Sequence, residues 1–319
     1  MDPAPLFADV ADGPADGAAW WVTARDDLRL RVGLWNREAP KGTVLIFPGR
    51  TEYVEKYGRA ARALARCGYA SLAIDWRGQG LADRLLDDVM SGHVHHFPDY
   101  QYDVAAMTET AARLDLPRPW YLLAHSMGGC IGLRAVMDGL DVQGCAFSSP
   151  MWGIKMAEAL RPVAWWLAWG SHQVGLSHRY APGTTADHYV LTEPFETNKL
   201  TGDRDMWQYM ARQLGAHPEL GLGGPSLRWL YEALRETRAL AQRPSPDLPC
   251  LTILGTDEDI VDVPRVTDRM ARWPRGHLEM VQGGRHETLM EGEATQARLF
   301  GLLCDFFERS REKDAVAVS

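Results

Sequence analysis

The sequence predicts an α/β protein with a mostly parallel sheet flanked by helices and a helical cap inserted late in the sheet. Short apolar runs typical of strands buried on both faces alternate with segments of helical spacing. This alternation stops near residue 150 and resumes near residue 245, and helical segments broken by Gly and Pro fill the interval. A doubly wound core carrying an inserted cap explains both parts of the pattern.

The elements follow one another in a regular order. Residues 20–34 alternate around a turn at Asp26 and Asp27, which predicts an antiparallel hairpin. Buried strands are then predicted at residues 43–47, 69–74, 120–123, 142–147, 250–254 and 278–281. Helical spacing covers residues 53–67, 103–114, 127–137 and 294–309. Alternating strands and helices of this kind predict a parallel sheet.

Composition divides the chain into four regions. Residues 1–18 are rich in Asp, Pro, Ala and Gly and lack the basic and apolar parts of a secretory signal, so we expect a flexible arm. The core is expected to comprise residues 19–149 and 245–310, and the cap residues 150–244. Residues 311–319 are expected to form a polar C-terminal tail.

The overall composition excludes several classes of protein. Of 319 residues, 46% are hydrophobic and 24% charged, which is enough for a sizeable core and excludes disordered and fibrous chains. A formal net charge of −8 without a Lys/Arg cluster argues against nucleic acid as a partner. No apolar run approaches the ~20 residues of a membrane span. The cysteines lack CxxC spacing and predict buried free thiols in a reducing compartment, hence a cytoplasmic protein: Cys67, Cys130, Cys145, Cys250 and Cys304.

The segment around Ser126 carries the sharpest local motif. An apolar strand leads into Ala124-His125-Ser126-Met127-Gly128, and helical spacing begins directly afterwards. Small residues beside a serine allow the strained strand-to-helix turn of a nucleophile elbow, which projects the hydroxyl above the sheet. Ala124 replaces the usual first glycine, and its one extra methyl group is expected to fit. The alternative interpretation is that Ser126 only caps the helix.

Partners for Ser126 lie downstream in the required order. His286 is the one of ten histidines that lies between the last predicted strand and the last helix, where a general base must meet the serine. The acid should follow the preceding strand, and four carboxylates lie there: Asp257, Glu258, Asp259 and Asp262. The residues alone leave this choice open.

Two backbone N–H groups are candidates for an oxyanion hole. The N–H of Met127 lies at a helix N-terminus, where an oxyanion would form. The second donor is expected from the loop Pro48-Gly49-Arg50 after the first parallel strand, as the N–H of Arg50. An ordinary turn fits Pro48-Gly49 equally well.

One histidine cluster suggests a metal site. His93-Val94-His95-His96 has the ligand type, but no compact second set of ligands accompanies it. We therefore predict no metal at this position.

With these residues in place, the chain resembles the serine α/β-hydrolases, and within them the bacterial lysophospholipase and monoacylglycerol lipase branch. The likeness covers about residues 20–309. It rests on Phe47-Pro48-Gly49-Arg50-Thr51-Glu52, Asp75-Trp76-Arg77-Gly78-Gln79-Gly80, His125-Ser126-Met127-Gly128-Gly129, Asn198-Lys199-Leu200-Thr201, His217-Pro218-Glu219-Leu220 and Gly284-Arg285-His286-Glu287. The resemblance implies the α/β-hydrolase fold.

The resemblance also implies roles for particular residues. The acid of that family is the third residue after the strand-ending glycine, which is Glu258 here; many relatives have Asp, and Asp259 and Asp262 stay open. Pro48-Gly49 stands where many monoacylglycerol lipases have His-Gly, which favours the lysophospholipase side. An acyl-enzyme on Ser126 is implied, with no metal or organic cofactor.

The cap is expected to select the substrate. Trp165, Trp166 and Trp169 predict an acyl-chain tunnel or a lid that contacts lipid, unless they form the core of the cap itself. We expect a lysophospholipid or monoacylglycerol substrate, with peripheral membrane contact through the cap. The alternatives are a carboxylesterase for short soluble esters and a non-catalytic binding protein, which would be expected to lack Ser126 or His286.

Overall fold

The computed structural model describes the backbone of residues 1–157 and 160–317, and the side chains of residues 1–157, 165–167 and 169–311. The strands are β1 (Asp2–Ala4), β2 (Ala18–Thr23), β3 (Arg29–Trp35), β4 (Thr43–Phe47), β5 (Ala70–Asp75), β6 (Trp120–His125), β7 (Cys145–Ser148), β8 (Cys250–Gly255) and β9 (Gly276–Val281). In the described part of the chain these nine form one sheet in the order β1-β2-β3-β5-β4-β6-β7-β8-β9. The pairs from β5 to β9 are parallel, and β1, β2 and β3 add antiparallel strands at one edge.

Helices cover both faces of this sheet. They are α1 (Ala8–Ala11), α2 (Gly58–Arg66), α3 (Tyr100–Arg113), α4 (Ser126–Met137), α5 (Leu160–Gln173), α6 (Tyr189–Thr192), α7 (Arg204–Ala216), α8 (Leu227–Ala241), α9 (Val263–Ala271) and α10 (Glu293–Ala317). Leu45 and Phe47 of β4 point into one hydrophobic core, covered by α3, α4, α8 and α9. Val44 and Ile46 point into a second core, covered by α2 and α10. The predicted doubly wound sheet and its opening hairpin are confirmed.

The region between β7 and β8 contains α5, α6, α7 and α8 and, in its described residues, no strand of the sheet. Helix α8 nevertheless joins the hydrophobic core on one face of the sheet through Trp229, Ala233 and Leu240, and it packs against both α4 and α5. Helix α8 thus connects the region predicted as a cap to the core, and helical spacing alone does not reveal which surface a helix packs against. Among the described residues, no helix is both long and apolar enough to span a bilayer.

The prediction of a loosely held arm at residues 1–18 is wrong. Strand β1 pairs with β2, and Val10 and Ala11 are buried. The N–H of Phe7 donates to Glu55 at 3.1 Å, and the Phe7 ring stacks on His217 at 3.6 Å between centroids. Main-chain pairing and a few apolar contacts hold this segment despite its composition. At the other end, α10 continues to Ala317, so residues 311–317 extend a helix instead of forming a separate tail.

The prediction that every cysteine is a free thiol is also wrong. A disulfide joins Cys67, at the end of α2, to Cys304 of α10, with the two Cα atoms 6.3 Å apart. These residues are 237 positions apart in sequence, so their proximity depends on α2 and α10 covering the same face of the sheet. Cys130, Cys145 and Cys250 are buried free thiols, as expected.

A fully buried arginine joins the antiparallel edge to the rest of the sheet. Arg31 of β3 pairs with Asp75 at the end of β5 and with Glu55, each at 2.7 Å. It also donates to the carbonyl of Pro5 at 2.9 Å, which ties the N-terminal segment to the sheet. Burial opposes the charged form of Arg31, but the charges of Asp75 and Glu55 raise its pKa above the ordinary arginine value, so the side chain is a cation at neutral pH.

We expect Arg31→Met to lower the free energy of unfolding by about 3–5 kcal/mol, because it leaves two buried carboxylates without a counter-charge. Urea unfolding at pH 7 measures the change. Arg29→Met is the matched control in the same strand. Its pair with Asp83 is exposed, at 53% and 41% side-chain exposure, so its removal should cost less than about 1 kcal/mol. Equal losses in the two variants would contradict the role given to Arg31.

Candidate active site

Ser126 lies on a strained turn between β6 and α4. Its φ is 49°, a left-handed value that a serine adopts at a cost of about 1–3 kcal/mol. A Cβ at Gly128 would lie 2.1 Å from the carbonyl oxygen of Phe47, so only glycine lets α4 begin this close to β4. Ala124 fits because Gly132 of α4 faces it: a Cβ there would lie 3.2 Å from that of Ala124. The backbone has the geometry of a nucleophile elbow.

His286 connects Ser126 to Glu258. Its Nε2 lies 2.9 Å from the Ser126 hydroxyl, and its Nδ1 lies 2.8 Å from a carboxylate oxygen of Glu258. An ionised carboxylate only accepts hydrogen bonds, so Nδ1 carries the proton and Nε2 is free to accept the serine proton. His286 and Glu258 are both buried. The structure therefore brings together the predicted serine, histidine and one of the four candidate acids.

The surroundings of Glu258 keep it ionised. Burial alone would raise the pKa of this carboxyl, but the hydrogen bond and charge of His286 and the N–H groups of Ile260 and Val261 lower it to about 2. These N–H groups donate to Oε1 at 2.7 and 3.1 Å, leaving Oε2 for His286. Glu258 is thus a fixed acceptor at neutral pH.

The other three carboxylates of this loop have different contacts. Asp257 is exposed. Asp259 pairs with Lys155 and Lys199. Asp262 caps α9 by accepting the N–H of Arg265 at 3.3 Å. Among the four, Glu258 is the one in contact with His286.

The loop that follows β4 is held from several sides. The indole of Trp76 donates to the carbonyl of Pro48 at 2.9 Å, and the amide of Gln79 donates to the carbonyl of Gly49 at 2.8 Å. The amide oxygen of Gln79 also accepts the N–H of Thr51 at 3.3 Å. These contacts fix the peptide plane that contains the N–H of Arg50. Met127 lies in the first turn of α4, so its N–H has no acceptor within the helix.

Four charged or titratable residues next to this site were missed by the sequence analysis. Lys56 contacts Glu52 and Glu287, and His125 lies 3.3 Å from Glu287. Potential ligand atoms of Glu52, His125 and Glu287 lie within 4.8 Å of one another, but the ammonium group of Lys56 already provides a cation between the two carboxylates. Two features of the sequence could have indicated them. Glu52 and Glu287 each end a motif on which the family resemblance rests, and Lys56 lies four positions after Glu52.

A cavity of about 310 Å³ opens above Ser126. Its lining includes polar residues around Ser126 and a largely apolar wall. The wall consists of Tyr53, Val190, Leu200, Met210, Leu214 and Ile260. Lys199 and Arg50 also line the cavity. This combination suits a ligand with an apolar chain and a polar end.

The tryptophans of α5 lie outside this cavity. Trp165 packs against Tyr231 of α8 at 5.4 Å, whereas Trp166 and Trp169 are 64% and 40% exposed and contact each other edge to face. None of the three is among the described residues that line the cavity above Ser126. The exposed pair remains available for lipid contact.

The histidine cluster has structural contacts. The Nδ1 of His93 lies 2.9 Å from the hydroxyl of Ser226, and its ring contacts His95 edge to face. His96 lies 3.2 Å from Arg228. These contacts fasten the loop before α3 to the start of α8.

Comparison with known proteins places this site in a family. A family described as serine aminopeptidase, S33 matches residues 38–293. The chain belongs to this family. Lysophospholipase L2 of Escherichia coli K12 is 33% identical over 300 residues, covering 90% of this chain and 86% of the relative. Probable lysophospholipase L2 of Haemophilus influenzae is 28% identical over 255 residues, covering 79% of each chain.

A solved structure agrees with the fold. A soluble variant of monoglyceride lipase from Saccharomyces cerevisiae, in complex with a substrate analogue, superposes with a TM-score of 0.69 at 18% identity. The match covers 91% of this chain and 94% of the yeast chain. The resemblance to the serine α/β-hydrolases and their lysophospholipase branch is confirmed, and with it the predicted fold.

Proposed function

We propose that this ester hydrolase cleaves the carboxylic ester of single-chain lipids, with a lysophospholipid as the preferred substrate and a monoacylglycerol as the alternative. The observation that carries the proposal is the hydrogen-bonded series Ser126, His286 and Glu258 beside a cavity with an apolar wall. The names of the Escherichia coli and yeast relatives support the same substrate class.

In this mechanism Ser126 is the nucleophile. His286 takes the hydroxyl proton on Nε2 while the serine oxygen attacks the ester carbonyl, and Glu258 stabilises the resulting imidazolium through Nδ1. The imidazolium then protonates the departing alcohol, which leaves an acyl-enzyme. Water attacks this acyl group by the same route, giving its proton to His286 and releasing the fatty acid.

The negative charge of the tetrahedral intermediate needs donors on the opposite side of the carbonyl. The N–H groups of Arg50 and Met127 are our candidates, because Gly128 brings the start of α4 against the loop after β4. Preorganised backbone donors of this kind stabilise an oxyanion without reorientation during the reaction.

The acyl chain would lie along the apolar wall. Val190, Met210 and Leu214 belong to a hydrophobic cluster built mainly from α6, α7 and the segment around them. The region between β7 and β8 thereby supplies chain contacts, which is the role we give to the cap. A short acyl group would leave this surface unfilled.

The mouth of the cavity favours an anionic head group. The carboxylate of Asp259 lies between the ammonium groups of Lys199 and Lys155, and both lysine side chains are about half exposed. The two lysines lower the pKa of Asp259 to about 2, so it stays ionised and neutralises only one of them. The half-exposed ammonium group of Lys199, which also lines the cavity, is a cationic donor at the rim and suits a phosphodiester better than an uncharged glycerol.

We also propose peripheral contact with the lipid surface through the exposed pair Trp166 and Trp169. Indole rings prefer the interface between water and hydrocarbon, and both project from a helix of the cap. This contact would bring the cavity to lipid molecules that are poorly soluble in water.

The catalytic proposal predicts a loss of ester hydrolysis to background in Ser126→Ala. With p-nitrophenyl esters from acetyl to palmitoyl, kcat/KM of the wild type should rise by up to about fourfold per CH₂ at first, as each added group is buried against the apolar wall. Highest activity on acetyl or butyryl esters would instead indicate a general carboxylesterase. If wild type and Ser126→Ala are equally inert, the chain is a binding protein.

The matched pair for the acid is Glu258→Gln and Asp257→Asn. Loss of the orienting carboxylate should lower kcat by about 10³–10⁴-fold. Asp257 lies next to it but is exposed, so its amide should leave kcat within about twofold. Similar losses in the two variants would contradict the assignment of Glu258.

The head-group proposal predicts that Lys199→Met lowers kcat/KM for lysophosphatidylcholine by about tenfold, the magnitude of one lost charge-assisted hydrogen bond. Monoacylglycerol hydrolysis should stay within about twofold. Lys41→Met is the control, because Lys41 pairs with Glu308 at the surface, away from the cavity-lining residues. A uniform loss on both substrates would assign Lys199 a structural role instead.

The lipid-contact proposal predicts that Trp166→Ser/Trp169→Ser sediments with phosphatidylcholine vesicles at least about tenfold more weakly than wild type, since two indole rings no longer insert. Hydrolysis of monomeric p-nitrophenyl butyrate should not change. Met280→Ser removes an exposed apolar side chain from β9 and provides the control. Unaltered sedimentation of the tryptophan variant would rule out this contact.

A further inference from the structure

Four buried side chains meet beside the proposed catalytic residues: Glu52, Lys56, His125 and Glu287, here called the buried ion cluster. Each is less than one-tenth exposed. Lys56 lies between the two carboxylates, in contact with Glu52 and 2.5 Å from Glu287. His125 completes the group from the end of β6, directly before Ser126. Two carboxylates and one ammonium group would leave an unbalanced negative charge in the protein interior.

The contacts of His125 provide the missing positive charge. Its Nδ1 lies 3.0 Å from the carbonyl oxygen of Ser148 and must donate there. Its Nε2 lies 3.3 Å from a carboxylate oxygen of Glu287 and 3.5 Å from one of Glu52, and it forms no hydrogen bond of good geometry with the described residues. A neutral ring with its proton on Nδ1 would turn the lone pair of Nε2 towards both carboxylates, so a second proton belongs on Nε2.

The pKa of His125 agrees with this protonation. Burial alone would lower it, but the charges of Glu287 and Glu52 raise it above the ordinary histidine value. Lys56 opposes this effect, and the ring of His286 lies 4.9 Å away. With His125 protonated, the two positive and two negative charges of the buried ion cluster cancel.

One end of the cluster holds the proposed oxyanion loop. Glu52 accepts the N–H of Gly49 on Oε2, which also accepts the hydroxyl of Tyr57 at 2.5 Å. Gln79 holds the carbonyl of Gly49. Because a trans peptide places its C=O and N–H on opposite sides, these contacts fix the direction of the next N–H, that of Arg50.

The other end holds the loop of the proposed general base. Glu287 directly follows His286, and its own N–H donates to the carbonyl of Leu200 at 2.7 Å. The ammonium of Lys56 therefore joins the residue that orients the oxyanion loop to the residue beside the catalytic histidine. These two loops come from chain segments more than 200 residues apart.

We propose that the buried ion cluster, with His125 protonated, holds the loop of Arg50 and the loop of His286 at a fixed distance from each other. The N–H of Arg50 and the ring of His286 can then contact the same tetrahedral intermediate. This inference rests on the proposed serine-hydrolase mechanism. Glu52, Lys56, His125 and Glu287 are positioning residues: they act through Arg50 and His286 and transfer no proton to the substrate. If the cluster must be neutral to hold these groups, removing a positive charge should lower kcat by a different factor than removing a negative charge. A second substitution that restores neutrality should recover part of the lost activity.

Single variants change the balance in opposite directions. Lys56→Met leaves an excess negative charge, and His125, already protonated, has no means of compensating for it. Glu287→Gln leaves an excess positive charge, which His125 removes by releasing its proton. Lys56→Met/Glu287→Gln restores neutrality, with Glu52 paired to protonated His125. The double variant should therefore be more active than the Lys56→Met single variant.

The decisive measurement compares kcat and KM for p-nitrophenyl butyrate across these three variants. Lys56→Met should lower kcat by about 100-fold with KM within about threefold, since a displaced oxyanion donor is felt mainly in the transition state. Glu287→Gln should lower kcat by about tenfold. The double variant should recover at least about tenfold over Lys56→Met. Lys41→Met and Lys41→Met/Glu308→Gln, at an exposed pair, should stay near wild type.

A ¹⁵N NMR titration of the His125 ring tests the charge state without relying on activity. His125 should be protonated at pH 7 in wild type and neutral at the same pH in Glu287→Gln. A neutral wild-type His125, or a double variant no more active than Lys56→Met, would overturn the inference. If Lys56→Met does not fold, the titration still tests the charge state of His125, and an unchanged kcat in Glu287→Gln would overturn the positioning role. If the wild type hydrolyses no ester, the proposed function fails while the titration still tests the cluster.

Discussion

The close approach of α4 to β4 is the constraint on which the site depends. A helix can begin directly above the sheet at Ser126 only because Gly128 has no side chain to meet the carbonyl of Phe47. The same approach forces Ser126 into its left-handed conformation and places the first turn of α4 beside the loop of Arg50. The turn at Ser126, the N-terminus of α4 and the loop of Arg50 thus form one packing arrangement, and the stability of the surrounding sheet offsets its strain.

Charge placement around this arrangement follows a consistent pattern. The buried carboxylates near the site have several donors each. Glu258 accepts from two backbone N–H groups and a histidine, and Glu52 contacts Lys56 and accepts from the N–H of Gly49 and the hydroxyl of Tyr57. Ionised groups in the interior are tolerated only with such partners. The partly exposed carboxylate of Asp259, in contrast, is shared by two lysines.

The parallel sheet and the turn at Ser126 could be predicted from the sequence. Strands buried on both faces produce continuous apolar runs, and a serine between small residues after such a run indicates a nucleophile elbow. His286 was predictable from its place between the last strand and the last helix. Glu258 was not predictable from the residues alone, because four carboxylates share one loop and backbone N–H groups decide between them. The ion cluster, the disulfide and the packed N-terminal segment depend on contacts between distant parts of the chain, which local patterns do not encode.

The disulfide between α2 and α10 changes the topology of the covalent chain. With Cys67 joined to Cys304, residues 67–304 form a closed covalent ring, and Ser126, Glu258 and His286 all lie within it. Closing a loop of 237 residues reduces the entropy of the unfolded chain by the equivalent of about 5 kcal/mol in the chain-entropy description. The ring also means that a single peptide-bond break in the cap would leave both fragments covalently attached. The helical insertion could be cut once without releasing either half of the catalytic core.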